Sequence, residues 1–242
     1  MKKMLAFAAV LLLGGAGNLC AAIHGSWTAS TETAKAGRIH VNISRGNWQH
    51  YGNTMKLADF RGLSDAQIHS GVQTPVQFQL AREAGTLQFE GVFKNGDGAG
   101  QFTFQSNPSF ANAVRGLGVA FELKHRRQDQ NEENDLFNLA MTDVSTAFIR
   151  SMQAEGYNVS LDKYLQMRLH GATPEFAEEM KRLGYGGLRH QDLVSFRIHG
   201  VTAEFIRELR ELGYTDIPAK KLIQMRIHGI DASFVRKMNS ID

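Results

Sequence analysis

Apolar and polar residues alternate through the first half of the chain, between residues 25 and 105. The stretches in which every second position is apolar are residues 39–43, 76–80, 87–93 and 102–104. A period of two puts successive side chains on opposite faces of a strand, so each stretch predicts a strand with one buried face. We expect about five to seven antiparallel strands and one helical turn near residues 64–69.

Short polar segments between these stretches have the composition of tight turns. Residues 82–85 and 94–98 contain glycine, asparagine or aspartate, which tolerate positive φ in hairpins. Residues 95–100 are rich in glycine but lack the Gly-Lys-Ser/Thr ending of a phosphate-binding loop and join two strands. We therefore predict an antiparallel β-meander domain whose apolar face is covered by a further layer.

The second half of the chain repeats a helical pattern every 28 or 29 residues. Three segments superpose, and they read Leu-Gln-Met-Arg-Leu-His-Gly at 165–171, Val-Ser-Phe-Arg-Ile-His-Gly at 194–200 and Ile-Gln-Met-Arg-Ile-His-Gly at 223–229. Phenylalanine recurs in step at Phe148, Phe176, Phe205 and Phe234. A constant period of this length is typical of stacked supersecondary units.

Each repeat is predicted to contain two short helices. The glycines that end the first helices are Gly171, Gly200 and Gly229, in a place where a left-handed cap favours glycine. Two residues later, Thr173, Thr202 and Asp231 are suited to cap the second helices. A diverged repeat begins at Leu136, and residues 107–119 echo the end of another, so the array is expected to start close to the β-domain.

These patterns divide the chain into four segments and predict an α+β fold. They are a signal peptide at 1–22, an antiparallel β-domain at 23–106, a transition with a polar linker at 107–135, and helix-pair repeats at 136–242. The linker is inferred from residues 124–135, which include Arg126 and Arg127 and contain no apolar residue.

The first residues have the order of a secretory signal peptide. Lys2 and Lys3 precede an apolar run at 4–13, and small residues then lead to Ala22, after which cleavage is expected. The run is shorter than the roughly 20 residues that a membrane-spanning helix needs. Leu19 stands before Cys20 where a lipoprotein has a small residue, so a periplasmic or secreted product is favoured over a lipid-anchored one.

Charge and cysteine content narrow the class of partner. The formal net charge is +3, and Lys2 and Lys3 supply two of these charges, so the cleaved chain is close to neutral. This balance and export argue against a nucleic-acid partner. Cys20 is the single cysteine, so no disulfide is expected in the cleaved chain.

One arginine and one histidine per repeat are the candidate binding residues. They are Arg168, Arg197 and Arg226, and His170, His199 and His228. Three histidines suggest zinc, but equivalent positions on stacked helices lie about 10 Å apart, whereas zinc needs each nitrogen at about 2 Å. A cation near a helix C-terminus is favourable in itself, which is the structural interpretation. The alternative is an anion-binding ladder of arginines.

No motif in the chain predicts catalysis or a cofactor. The His-Glu-x-x-His motif of metallopeptidases is missing. Ser160 and Lys163 match Ser-x-x-Lys without the accompanying Lys-Thr-Gly or Ser-Asp-Asn, and Ser160 stands where a helix cap is expected. Aromatic residues of the β-domain, Trp27, Trp48 and Tyr51, either line a ligand groove or belong to the core, and the core is favoured.

The repeat at residues 193–214 resembles repeats in the extracytoplasmic regions of bacterial β-lactam-sensor-like regulators of the membrane zinc-peptidase antirepressor type, and in related secreted proteins. The segment Arg-Glu-Ala-Gly-Thr-Leu-Gln-Phe-Glu-Gly at 82–91 looks like one that accompanies those repeats. The resemblance implies a bacterial envelope protein with a sensing or scaffolding role. The peptidase domain of that family is not part of this sequence, so no catalytic residue is carried over.

Two hypotheses for function follow. The first is a non-enzymatic exported interaction or scaffold protein that binds a protein or a cell-wall component through its helical repeats. The alternative is a β-domain that binds a small molecule or glycan, with the helices as a supporting lid. Fold alone does not separate them, because function depends on sites.

Overall fold

A computed structural model describes residues 23–32, 34–45, 49–123 and 131–240 of the chain. The fold is α+β, with a curled antiparallel sheet followed by helices. The predicted signal peptide, including Cys20, lies outside the described residues, and so do Trp48, Arg126 and Arg127.

Seven strands form one antiparallel sheet. They are β1 (Ile23–Ser30), β2 (Arg38–Arg45), β3 (Gln49–Lys56), β4 (Phe60–Arg61), β5 (Thr74–Arg82), β6 (Gly85–Lys94) and β7 (Asp97–Ser106). Their order in the sheet is β3-β2-β1-β7-β6-β5-β4. The antiparallel sheet is confirmed, and it consists of two meanders joined by the pairing of β1 with β7. Strands β3 and β4 are its edges.

The predicted helical turn is confirmed as α1 (Asp65–Ile68). Ser64 caps it, since the Ser64 side chain accepts a hydrogen bond from the Gln67 amide while the Gln67 side chain accepts one from the Ser64 amide. A 3-10 turn at Leu57–Asp59 precedes β4, and α2 (Ser109–Arg115) follows β7.

Eight further helices form four pairs, as the period predicts. The pairs are α3 (Glu132–Thr142) with α4 (Thr146–Ala154), α5 (Leu161–Leu169) with α6 (Pro174–Met180), α7 (His190–His199) with α8 (Ala203–Glu211), and α9 (Ala219–Ile227) with α10 (Ala232–Asn239). A π-helical turn at Lys181–Tyr185 extends α6. The first helices of successive pairs, α3, α5, α7 and α9, pack on one another, which makes a layer of the array.

The residues that end and begin these helices behave as the sequence predicts. Gly171, Gly200 and Gly229 have φ of 70°, 69° and 67°, so each takes the left-handed conformation after a first helix. In the diverged first pair Asp143 occupies this place with φ of 56°. The side chains that cap the second helices, each by accepting a hydrogen bond from a backbone amide three residues later, are Ser145, Thr173, Thr202 and Asp231.

The transition before the polar linker contains α2, in agreement with the echo of a repeat at residues 107–119, and Gly118 follows it with φ of 74°, as Gly156, Gly184 and Gly213 follow later second helices. The polar linker predicted at residues 124–135 is wrong at its C-terminal end. Its last part is the first turn of α3, and Asp135 there is 1% exposed. Acidic residues are favourable at a helix N-terminus, so a polar run there does not indicate a loop.

One continuous core joins the sheet to the array. Phe137 of α3 packs on the sheet, with its ring centroid 5.3 Å from that of Phe104 and 5.4 Å from that of Tyr51. The Tyr51 hydroxyl donates a hydrogen bond of 2.9 Å to Asn138, also on α3. Helix α3 is therefore both the layer that covers the sheet and the first member of the array.

Trp27 belongs to the core, as favoured above. It is 1% exposed, and its Nε1 donates to the carbonyl oxygens of Glu90 at 3.2 Å and Gln101 at 3.0 Å. These two carbonyls flank Gly91 and Gly100, which lie opposite each other on β6 and β7. The glycines leave the strands free of side chains where the indole reaches them.

In the described part of the chain, no helix is long and apolar enough to cross a membrane.

Replacing Gly100 by alanine should test this close approach of β6 and β7. A Cβ at Gly100 would overlap the carbonyl oxygen of Glu90, so we expect Gly100→Ala to lower the free energy of unfolding by more than about 2 kcal/mol. Gly118→Ala is the control, since Gly118 has φ of 74° and open space around a Cβ, and should cost about 1 kcal/mol. Urea denaturation measures both, and equal losses would contradict the steric argument.

Candidate functional site

Each of the three repeat arginines lies over a phenylalanine ring of the preceding pair. The distances from guanidinium carbon to ring centroid are 5.3 Å for Arg168 on Phe148, 4.9 Å for Arg197 on Phe176 and 5.0 Å for Arg226 on Phe205. A planar cation over an aromatic face is attracted by the ring quadrupole. The arginines thus connect each pair to the one before it.

The guanidinium groups of Arg197 and Arg226 also lie beside the glycine that ends the first helix of the preceding pair. A Cβ at Gly171 would lie 3.3 Å from Nη2 of Arg197, and one at Gly200 would lie 3.4 Å from Nη2 of Arg226. The guanidinium groups therefore sit beside the turn as well as over the ring. This packing supports the structural interpretation of the arginines, and the anion-binding ladder stays a prediction.

The first pair uses a carboxylate where later pairs have glycine. Asp143 accepts a hydrogen bond of 2.6 Å from Arg168 Nη2 through its side chain and one of 3.1 Å from Arg168 Nε through its backbone carbonyl. Arg82, at the end of β5, approaches the same carboxylate at 3.2 Å and Asp59 at 3.1 Å. These half-buried ion pairs tie the sheet to the beginning of the array.

The three repeat histidines lie at helix C-termini. His170 and His228 are exposed and directly follow α5 and α9, and His199 is the last residue of α7. Within residues 23–32, 34–45, 49–123 and 131–240, no group of three or more His, Cys, Asp or Glu side chains is arranged to hold a metal ion. Their positions suit the interaction of a cation with the helix dipole.

An exposed row of branched aliphatic side chains is the feature that the sequence analysis missed. We define the apolar row as Leu169, Ile198 and Ile227, which lie between the arginine and the histidine of each repeat and are 64%, 53% and 55% exposed. The spacing of these residues from the core positions predicts their exposure. Each residue of the row stands two positions after a core position such as Met167 or Phe196, and two positions on an α-helix are about 200° apart around the axis.

A groove of about 690 Å³ begins where the apolar row meets the sheet. Its sheet side is residues 50–56 of the edge strand β3, and its array side includes Met141, Asp143, Arg168 and Leu169. Leu169 belongs to both the groove and the row. The edge strand β3 and the first residue of the apolar row therefore line the same groove.

A cluster of polar side chains connects the second and third pairs. Asp162 is 4% exposed, accepts a hydrogen bond from the Ser160 hydroxyl and lies 3.4 Å from Lys163 Nζ. Burial raises the pKa of Asp162, but the hydrogen bonds from Ser160 and Lys163 outweigh it and hold the pKa below its usual range. Ser160 is thus the N-cap residue of α5 by position, while its side chain binds Asp162 rather than a backbone amide.

His190 begins α7 and faces this cluster. Its Nε2 is buried and has no hydrogen-bond partner among the described residues. Burial lowers the pKa of His190, and the nearby Lys163 lowers it further, although Asp162 acts in the opposite sense.

The β-domain has a separate crease of about 550 Å³, lined by polar side chains of its central strands. Gln77, Glu90 and Gln101 lie side by side across β5, β6 and β7. Trp27 is not available to line a groove because it is in the core. Ligand binding by the β-domain stays a prediction.

Comparison of the chain with protein-family models, curated proteins and solved structures finds no match. The resemblance to antirepressor-type repeats therefore stays a prediction.

Replacing Arg197 by glutamine should show that the repeat arginines stabilise the array. The stacking on Phe176 is lost, so we expect the free energy of unfolding to fall by about 1 kcal/mol. The free energy of unfolding should fall by less in Arg197→Lys. Arg207→Gln is a matched control on the surface, since Arg207 pairs with Glu179 at 3.0 Å and both side chains are well exposed. Equal effects of Arg197→Gln and Arg207→Gln in thermal unfolding would argue against the stacking.

The lowered pKa of His190 predicts its titration and a pH dependence of stability. By NMR, the imidazole should titrate below about 6.5, the ordinary histidine value. The folded chain then binds fewer protons than the unfolded chain, so this contribution to stability is present above pH about 6.5 and is lost as pH falls through the folded pKa. His190→Gln should reduce the loss of stability between about pH 7.5 and 5, and an unchanged slope would contradict the assignment.

Proposed function

We propose that this chain is a non-enzymatic, exported interaction or scaffold protein of the bacterial envelope that binds a protein partner through the apolar row of its helical array. The observation that carries the proposal is the exposure of Leu169, Ile198 and Ile227, which are 64%, 53% and 55% exposed. Equivalent positions of successive repeats thus present the same apolar side chain to solvent.

The energy of binding would come from burial of this row. Complete burial of an exposed leucine or isoleucine contributes about 1.5 to 3 kcal/mol, so covering three half-exposed side chains contributes several kcal/mol in all. A single exposed leucine is common on a protein surface, whereas the exposure of the equivalent residue in three successive pairs repeats one apolar position along the array. The residue before each is an arginine and the residue after it a histidine, which provides a polar rim.

The groove beside β3 extends this surface at its sheet end. Arg82, Arg168, Asp59 and Asp143 are paired with one another there, and Arg38 and Lys56 add two positive charges that no other carboxylate of the lining offsets. A partner with a carboxylate near Arg38 and Lys56 would complement this end of the surface. The apolar row itself carries no charge, which favours a protein with an apolar face over a highly charged cell-wall polymer.

Two observations support the non-enzymatic part of the proposal. The Ser160 hydroxyl donates to Asp162, and the Lys163 ammonium lies 3.4 Å from the same carboxylate. A serine nucleophile needs a base that accepts its proton, and a buried carboxylate whose pKa is lowered is a poor base. The arrangement instead suits a polar contact between neighbouring helix pairs.

Substituting the row should abolish partner binding without unfolding the chain. The full-length protein and the Leu169→Gln/Ile198→Gln/Ile227→Gln variant would be compared as baits on an envelope fraction. We expect the triple variant to lose the partner while each exposed substitution changes the free energy of unfolding by at most about 0.5 kcal/mol. The readout is the set of proteins captured, together with thermal unfolding of the bait.

The matched control is Arg168→Gln/Arg197→Gln/Arg226→Gln, which changes the neighbouring residue of each repeat. This variant should keep the partner and unfold at lower temperature, because the arginines stack on rings of the preceding pair. Loss of binding in the arginine variant alone would support the anion-binding ladder. Retention of the partner by both variants would argue for binding by the β-domain.

A further inference from the structure

In the last described pair of the array, the phenylalanine is not covered by an arginine, whereas the equivalent phenylalanines of the earlier pairs are. Phe148, Phe176 and Phe205 are 7%, 7% and 4% exposed, and each lies under the arginine of the following pair. Phe234 on α10 is the next member of this series and is 48% exposed. The difference arises because no further first helix is stacked on α9 among the described residues.

The space around Gly229, at the end of α9, shows independently that no guanidinium of the described residues lies at this position. A Cβ at Gly171 or Gly200 would meet the guanidinium of Arg197 or Arg226 within 3.4 Å. A Cβ at Gly229 would meet nothing within 4 Å. The surface that receives an arginine in two earlier pairs is thus open at Gly229, beside the ring of Phe234.

Two further exposed apolar side chains lie near Phe234, although α10 also exposes Arg236 and Lys237. Met238 on α10 and Tyr214, which follows α8, are 51% and 44% exposed. Arrays of stacked repeats usually end in a capping unit with a polar outer face. An end that presents Phe234, Met238 and Tyr214 is therefore suited to contact another helix rather than water.

We propose that this open end, defined by Phe234, Met238, Tyr214 and Gly229, binds a helix of a partner protein that presents an arginine in its last turn. The guanidinium lies over the Phe234 ring and beside Gly229. This inference does not rest on the apolar row, because it concerns the end of the array rather than its side.

The occupant is inferred from continuity with the contacts inside the array. Three internal copies of this surface receive an arginine from the last turn of a helix, at 4.9 to 5.3 Å from the ring. Lysine fits less well because its ammonium has no planar face to stack on a ring. A second copy of the chain is not the expected donor, because its own repeat arginines already lie over its own rings.

The test uses the arginine helix of the chain itself as a probe. A peptide of residues 217–230 contains α9 and Arg226, and a side-chain lactam between Lys220 and a glutamate replacing the exposed Gln224 holds it helical. The peptide would be titrated into the full chain labelled at phenylalanine, and Phe234 resonances followed by NMR. We expect a saturable shift of Phe234, and about tenfold weaker binding of the Arg226→Gln peptide.

Two variants of the full chain distinguish the contribution of the aromatic ring of Phe234 from that of its apolar surface area. Phe234→Ser should lose the peptide, whereas Phe234→Leu should bind it weakly and no longer distinguish arginine from glutamine. Phe234 is half exposed, so both variants are expected to fold, and circular dichroism checks this.

Three results would overturn the proposal. They are a Phe234 resonance that does not move with the peptide, equal binding of the arginine and glutamine peptides, and self-association of the unliganded chain that Phe234→Ser abolishes. Sedimentation equilibrium detects the last, which would make a second copy the occupant. Loss of envelope partners by the apolar-row variant would leave this inference unaffected.

Discussion

The array depends on burial of apolar side chains between successive helix pairs, and an arginine laid over the phenylalanine of the preceding pair completes each of these contacts. A pair of helices of seven to eleven residues is too short to be stable alone and must bury its apolar face against its neighbours. Arg168, Arg197 and Arg226 make this contact at the same place in each pair, and the left-handed glycines Gly171 and Gly200 leave room for the guanidinium groups of Arg197 and Arg226. The recurring Arg-x-His-Gly is therefore both a helix end and a connection between pairs.

The two ends of the array meet different surroundings, and the sequence differs accordingly. At the first pair, Phe137 packs on the sheet, and Asp143 replaces glycine so that a carboxylate binds Arg168 and Arg82 together. Aspartate tolerates the left-handed conformation better than most residues, at some cost in strain. At the last pair, the ring of Phe234 is open. The array is thus anchored at one end and exposed at the other.

The surface of the array has two parts with different chemistry. The arginines are directed toward the preceding pair and hold the stack together, while the residue after each arginine, Leu169, Ile198 or Ile227, is exposed. Neighbouring positions in one motif thus differ in their surroundings, one packed on the preceding pair and the next exposed, because on a helix one residue is a rotation of about 100°. The groove at β3 is lined by residues of both the sheet and the array.

The sequence by itself determined the antiparallel strands, the helix pairs and their ends. Period-two alternation, the 29-residue spacing and glycine or aspartate at left-handed positions are local signals that need no tertiary context. The sequence also placed Ser160 at the start of a helix, but only the fold directed its hydroxyl to Asp162. The pairing of β1 with β7, the role of α3 as cover for the sheet, and the stacking of Arg197 on Phe176 depend on packing between distant segments. The exposure of the apolar row also depends on packing between distant segments, because a side chain is exposed only when no neighbouring element covers it.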